Sequence, residues 1–171
     1  ILMSIAIPSI LSQRPIWRTN GSARVLLTNL RLAQSKAIRS GSPHSIIFLP
    51  VSKSYIMFED NGVGALAGNG KQDAGEETVK TVTLNTLVTF GRIGTPPALK
   101  GGAITNGISF PSNGTNGAVT FLPDGSAEDG TAYLYPEEAS TNAGWQRAVE
   151  VIGNTGRVKI FAYDTNSSTW L

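Results

Sequence analysis

The rhythm of apolar positions changes once along the chain, near residue 41. Before that point an uncharged apolar run, ILMSIAI, spans Ile1 to Ile7, and Ala23, Leu26, Leu30, Ala33 and Ala37 then recur at spacings of three and four. That recurrence places the five residues on one stripe of a helix, with Arg24, Arg31, Lys36 and Arg39 mostly outside it. The pattern predicts an amphipathic helix over about 22–40. It should stop at Ser40-Gly41, where glycine accepts a left-handed cap and Pro43 forbids continuation. Pro8 and Pro15 each remove one backbone hydrogen bond, so the chain upstream is expected to kink or loosen there.

After residue 44 the period shortens to that of strands. Candidate strands are 45–49, 54–59, 78–84, 87–90, 104–110, 118–122, 131–135, 145–152 and 157–163, each short and bounded by Gly, Pro, Asn or Asp. The Gly-, Asn- and Asp-rich segment 61–75 reads as a long exposed loop, as does 91–102 with its Pro96-Pro97 pair. No internal repeat is evident. One long helix followed by many strands predicts an α+β fold: the helix packs its stripe on antiparallel sheets, two of them side by side, in a β-rich head. The division expected from the pattern is an N-terminal helix over 1–41, with an apolar part at 1–10 and an amphipathic part at 22–40, and a head over 42–171.

Charge and composition narrow the chemistry. The 171 residues contain no cysteine, which excludes disulfides, thiolate metal sites and cysteine nucleophiles, and His44 is the single histidine. Most histidine-based triads and all multi-histidine metal centres are therefore removed, and His44 reads as an ordinary surface or strand-end residue. Net charge is +2, yet no acidic residue precedes Glu59. Seven of the fourteen basic residues lie before it, and all twelve acids lie from Glu59 onward. A basic stretch after an apolar run can face lipid headgroups, an acidic partner or nucleic acid, or be a solvated helix face. Glu76-Glu77 and Glu137-Glu138 are adjacent carboxylates, but sequence neighbours point apart and acid–base chemistry needs two facing one cleft, so they read as loop solubilisers. Asp124, Ser126, Glu128 and Asp129 offer oxygens for Ca²⁺ without the full loop spacing, and Asp-Gly turn chemistry accounts for them equally. The pattern implies no enzyme and no cofactor.

Seven apolar residues cannot span a bilayer, which takes about 20, so Ile1–Ile7 is expected to be the end of a longer apolar helix or a buried helix start. The segment ILMSIAIPSI resembles the second half of a type IV pilin hydrophobic helix, with Pro8 at the family's kinking proline, and Ile1, Leu2, Ile5 and Ile7 as filament and membrane residues. ARVLLTNLRLAQSKAIRSG, residues 23–41, is similar to one branch of that family, the minor pseudopilins of the GspH/FimT type. Val119-Thr120-Phe121, Asp124-Gly125-Ser126-Ala127 and Gly156-Arg157-Val158-Lys159 are weaker matches, and together the matches cover most of the chain. The family's leading Phe and nearby docking Glu are absent. About half of the apolar span is therefore expected to be missing, leaving a soluble fragment that would not insert stably.

The resemblance implies a structural subunit of a type II secretion pseudopilus or a type IV pilus. It implies other pilins as partners, the inner membrane as the helix anchor and a periplasmic head. FimT-like members imply a second function, DNA binding in uptake, through Arg157 and Lys159. A hairpin at 153–156 would pair Ile152 with Arg157, Glu150 with Lys159 and Ala148 with Phe161, placing Arg157, Lys159, Phe161 and Tyr163 on one face. Two cations with two aromatics suit phosphate contact and base stacking. A Glu150–Lys159 ion pair would neutralise half of that charge.

Overall fold

The computed structural model describes residues 3–111, 117–139 and 142–171, and side chains on the helix from Arg14 onward. Its first element, α1, is a single helix over Met3–Ser40. The helix continues through Pro15, where the chain was expected to kink or loosen. A proline costs one rung of the ladder and bends a helix, but the turns on either side keep theirs, and Thr19 folds its hydroxyl back onto the Pro15 carbonyl at 3.0 Å. The backbone is helical at Pro8 too. Termination falls where the sequence placed it: Gly41 has φ +71° and its N–H reaches the Ala37 carbonyl at 3.0 Å.

Ala23, Leu26, Leu30, Ala33 and Ala37 are all fully buried. They pack into a core shared with two antiparallel sheets. The first sheet has the order β3-β2-β1-β5, with β1 at His44–Leu49, β2 at Ser54–Glu59, β3 at Thr78–Thr83 and β5 at Ala118–Phe121. The second has the order β4-β6-β7-β8-β9, with β4 at Val88–Phe90, β6 at Gly130–Pro136, β7 at Arg147–Ile152, β8 at Arg157–Asp164 and β9 at Thr169–Trp170. The helix touches strands of both sheets. Phe48 joins them, stacking on Phe110 at 5.3 Å and meeting Phe90 edge-on at 5.7 Å.

One expected strand is absent and one unexpected strand is present. Residues 104–110 do not form a strand. Asn106 and Gly107 both take positive φ, so Thr105 and Ile108 close a two-residue turn by exchanging hydrogen bonds of 2.8 and 2.9 Å. Gly107 is needed there because a Cβ would stand 2.2 Å from the Gly91 nitrogen. The short β9 was not anticipated. It follows a turn in which Asp164 accepts from the N–H groups of Asn166 and Ser167 and from the Ser167 hydroxyl.

Candidate assembly surfaces

One face of α1 is sunk in the head, and the other is open from Arg14 to Ser40. The open face follows a seam of four- and three-residue steps: Trp17, Gly21, Val25, Thr28, Leu32, Ser35 and Arg39. Trp17 is 58% exposed, Val25 48% and Leu32 39%, so apolar side chains face outward at helical spacing. Arg14, Arg24 and Arg31 flank the seam, also exposed. Arg18 is bound to Glu138 at 3.1 Å. An exposed apolar seam on an otherwise docked helix is a surface fit for another helix.

Ile1 and Leu2 lie outside the described residues, as do the side chains of Ile5, Ile7 and Pro8. Among the described residues no helix is long and apolar enough to cross a membrane.

The second surface is the outer side of the five-stranded sheet. The expected register holds: Ile152 faces Arg157, Glu150 faces Lys159 and Ala148 faces Phe161. Arg157 is exposed and Lys159 half-buried. The expected ion pair does not form. Glu150 is buried and accepts instead from the Lys100 backbone N–H at 3.2 Å, and among the described residues neither Arg157 nor Lys159 is in an ion pair. The reason is the segment after β4, which crosses this sheet face: Leu99 N–H donates to the Tyr133 hydroxyl at 2.8 Å, and Arg92 lies 5.4 Å from the Tyr133 ring centre. Trp170 bonds the Pro97 carbonyl and packs on both Tyr133 and Tyr163. The aromatic half of the supposed binding face is thus partly consumed by internal packing at Tyr163.

The carboxylates serve the fold. Glu137 pairs with Lys53 and Glu138 with Arg18, so the two point apart as expected, yet each ties a turn to another element. Glu76 clasps the long loop, accepting from Gly62 and Asp73 N–H groups at 3.0 and 2.8 Å. Asp124 closes its own turn through Ser126, which holds its carboxyl below the usual range. Glu128 accepts from Thr120 N–H and Asp129 from Gly153 N–H. No group of three acidic or histidine ligands gathers among the described residues. His44 begins β1, as a strand-end residue, but is buried rather than on the surface.

Two buried groups escaped the sequence reading. Asp60, fully buried, accepts from the Ser45 hydroxyl at 2.6 Å and from Gly68, Asn69 and Gly70 N–H groups at 2.8, 3.2 and 2.7 Å. It latches the 61–75 segment, which is therefore a shaped loop. Arg147 is buried under α1, donating to the Asn20 side chain and to the Gly144 and Gln146 carbonyls, and burial pulls its pKa down. Only the Gly-rich spacing after Asp60 hinted at the first; nothing local hinted at the second.

The sequence profile of the family described as Type II transport protein GspH matches residues 22–155. No curated protein sequence matches the chain. Among solved structures, the minor pseudopilin EpsH from the type 2 secretion system of Vibrio cholerae superposes with a TM-score of 0.54 at 16% identity. That alignment covers 85% of this chain and 97% of the other. The type IV minor pilin FimU of Pseudomonas aeruginosa gives a TM-score of 0.52 at 14% identity, covering 82% and 86%. At such identities the likeness is one of fold: a long helix laid against two antiparallel sheets.

Proposed function

Because the chain belongs to the GspH family of type II transport proteins, we propose that it is a minor subunit of a type II secretion pseudopilus or a type IV pilus, with its head in the periplasm and α1 packed among neighbouring subunits. It is a structural subunit and not an enzyme. The observation that carries the finer reading is the outward seam of Trp17, Val25 and Leu32 on a helix whose opposite face is fully buried. Burying such a seam contributes about 25 cal/mol per Å² of apolar surface, so assembly proceeds by packing rather than by chemistry. The apolar run upstream of Arg14 supports anchoring of the subunit in the inner membrane before assembly.

The absence of cysteine makes the test clean. Single cysteines at Val25, Leu32 and Phe161 would be introduced into the subunit as the cell makes it, and crosslinked in cells. Adducts with other subunits at Val25 and Leu32, and none at Phe161, are expected. Lack of adducts at both helix positions in cells that assemble filaments refutes the subunit reading.

One observation favours a second reading, DNA binding. Arg157 and Lys159 keep their charge unpaired among the described residues, since Glu150 is engaged elsewhere. Gel shifts with duplex and single-stranded DNA over a range of salt would test it. Contact with phosphates predicts a log–log salt slope near −0.9 per contact on duplex, flattened when both residues are replaced by Gln. Equal retention by parent and double variant refutes this role for the pair.

A further inference from the structure

The subunit reading leaves open what lies against α1, and the present inference rests on that reading while naming the partner. Beside the open face of the helix runs a groove. Strand β3 is the outer edge of its sheet, and its Val82 and Lys80 pair with Tyr55 and Met57 of β2. Tyr55 and Met57 are buried, whereas Val82 is half-buried and Lys80 exposed. Residues of this strand stand beside the helix: Val82 and Thr83 line one depression with Gly21 and Val25, and Lys80 another with Arg24 and Thr28. Three depressions of about 300, 330 and 400 Å³ follow one another along α1. The first lies between Gly21–Val25 and Val82–Asn85, the second between Val25–Thr28 and Lys80, and the third between Leu32–Arg39 and Glu59. At 1.5 Å per residue, Gly21 to Ser40 is about 28 Å, room for a partner helix of roughly 19 residues.

The groove has an apolar floor at Val25, Leu32 and Val82 and a cationic rim at Arg24, Lys36, Arg39 and Lys80. Among the described residues none of these cations is in an ion pair. Lys80 reaches only the neutral Asn29 side chain, at 3.3 Å, and Glu59 is the one acid among the lining residues. We propose that this groove receives an acidic amphipathic helix from a different subunit and rejects a second copy of this chain. The helix that a copy would offer carries Arg14, Arg18, Arg24, Arg31, Lys36 and Arg39 and no acid. Laid in the groove in either direction, it sets cation against cation where the contact is partly dehydrated and repulsion is least screened. A helix with leucines on its seam and glutamates beside them fills the floor and meets the rim. The charge therefore acts as a self-exclusion device, placing the subunit singly among unlike neighbours.

The test uses the 171-residue chain and synthetic amphipathic helices of about 20 residues. One peptide has Leu at heptad seam positions flanked by Glu, a twin has Lys for Glu, and a third is the acidic peptide scrambled. The acidic helix should bind, more weakly as salt rises, while the Lys twin and the scrambled peptide do not, and the chain alone should sediment as a monomer. Reversal by Arg24→Glu, Lys36→Glu and Lys80→Glu should weaken the acidic peptide roughly tenfold or more and admit the Lys twin. Equal binding of the Glu and Lys helices, equal binding of the scrambled peptide, or self-association of the parent chain through α1 overturns the proposal. Should the triple variant not fold, the peptide set on the parent chain decides alone. A chain that enters filaments but crosslinks at Val25 to its own copies overturns this inference only; a chain that never enters them overturns the subunit reading beneath it.

Discussion

Leu30 and Leu32 are two residues apart on α1 and face opposite ways, which makes them a direct test of how the helix is rotated. Leu30 is fully buried in the core beneath both sheets, whereas Leu32 is 39% exposed on the open seam. Truncating a buried leucine to alanine costs about 2–5 kcal/mol, as lost transfer energy plus the cavity left behind. Placing aspartate there instead removes the same apolar contact and buries a carboxylate with no cation facing it, which adds several kcal/mol more. The sum approaches the ~5–15 kcal/mol that holds a typical domain together. Leu30→Asp should therefore leave no folded protein at ambient temperature. Leu30→Ala should lower the melting temperature by roughly 2–4 °C for each kcal/mol lost. Leu32→Asp meets water and should shift the melt within about ±0.5 kcal/mol, while abolishing crosslinking to neighbouring subunits. Circular dichroism melts of the three variants beside the parent provide the readout. Equal loss of stability from Leu30→Asp and Leu32→Asp, or a Leu30→Asp variant that melts with the parent, would show that the helix is docked by some other face.

Asp60→Ala removes the acceptor for three backbone N–H groups and the Ser45 hydroxyl. The loop then opens to water rather than leave them unmet, for a net loss of about 2–4 kcal/mol, read as fast hydrogen exchange at Gly68 and Gly70. Gly130→Ala would set a Cβ 2.1 Å from the Phe110 ring, which in turn stacks on Phe48; a loss of about 1–3 kcal/mol is expected from overpacking, checked by denaturant melts. Burial, with Asp60 close by, raises the Glu128 pKa above the ordinary glutamate value. The folded state thus holds its proton longer than the unfolded chain, and stability falls as pH rises from the unfolded pKa through the folded one. Glu128→Gln, which keeps an acceptor for Thr120 N–H, should remove that decline in a pH series of melts.

The chain's local patterns carried much of the architecture. The stripe of Leu26, Leu30, Ala33 and Ala37 identified the buried helix face, because helical period alone puts those residues on one side. The Gly153–Gly156 turn determined the register of β7 and β8 to the residue, since a short hairpin loop leaves one way to pair the strands. Period and turn chemistry are encoded within a few residues, so sequence suffices for them. Contacts between distant segments are not encoded that way. The path of residues 91–110 across the second sheet took Glu150 from Lys159 and left Arg157 and Lys159 unpaired among the described residues, and no neighbour in sequence announces that crossing. Asp60 became a latch by drawing in the glycine-rich loop that follows it and Ser45 of β1, and Arg147 became a buried cation only because the fold set it against Asn20, far away along the chain. The groove beside α1 is of the same kind. Arg24, Lys36 and Arg39 were legible from the start in the acid-free stretch before Glu59, but Lys80 and the second wall, drawn from β3 and the end of β2, stand beside the helix only through tertiary packing, where burial energy and chain connectivity act over distances no local pattern reaches.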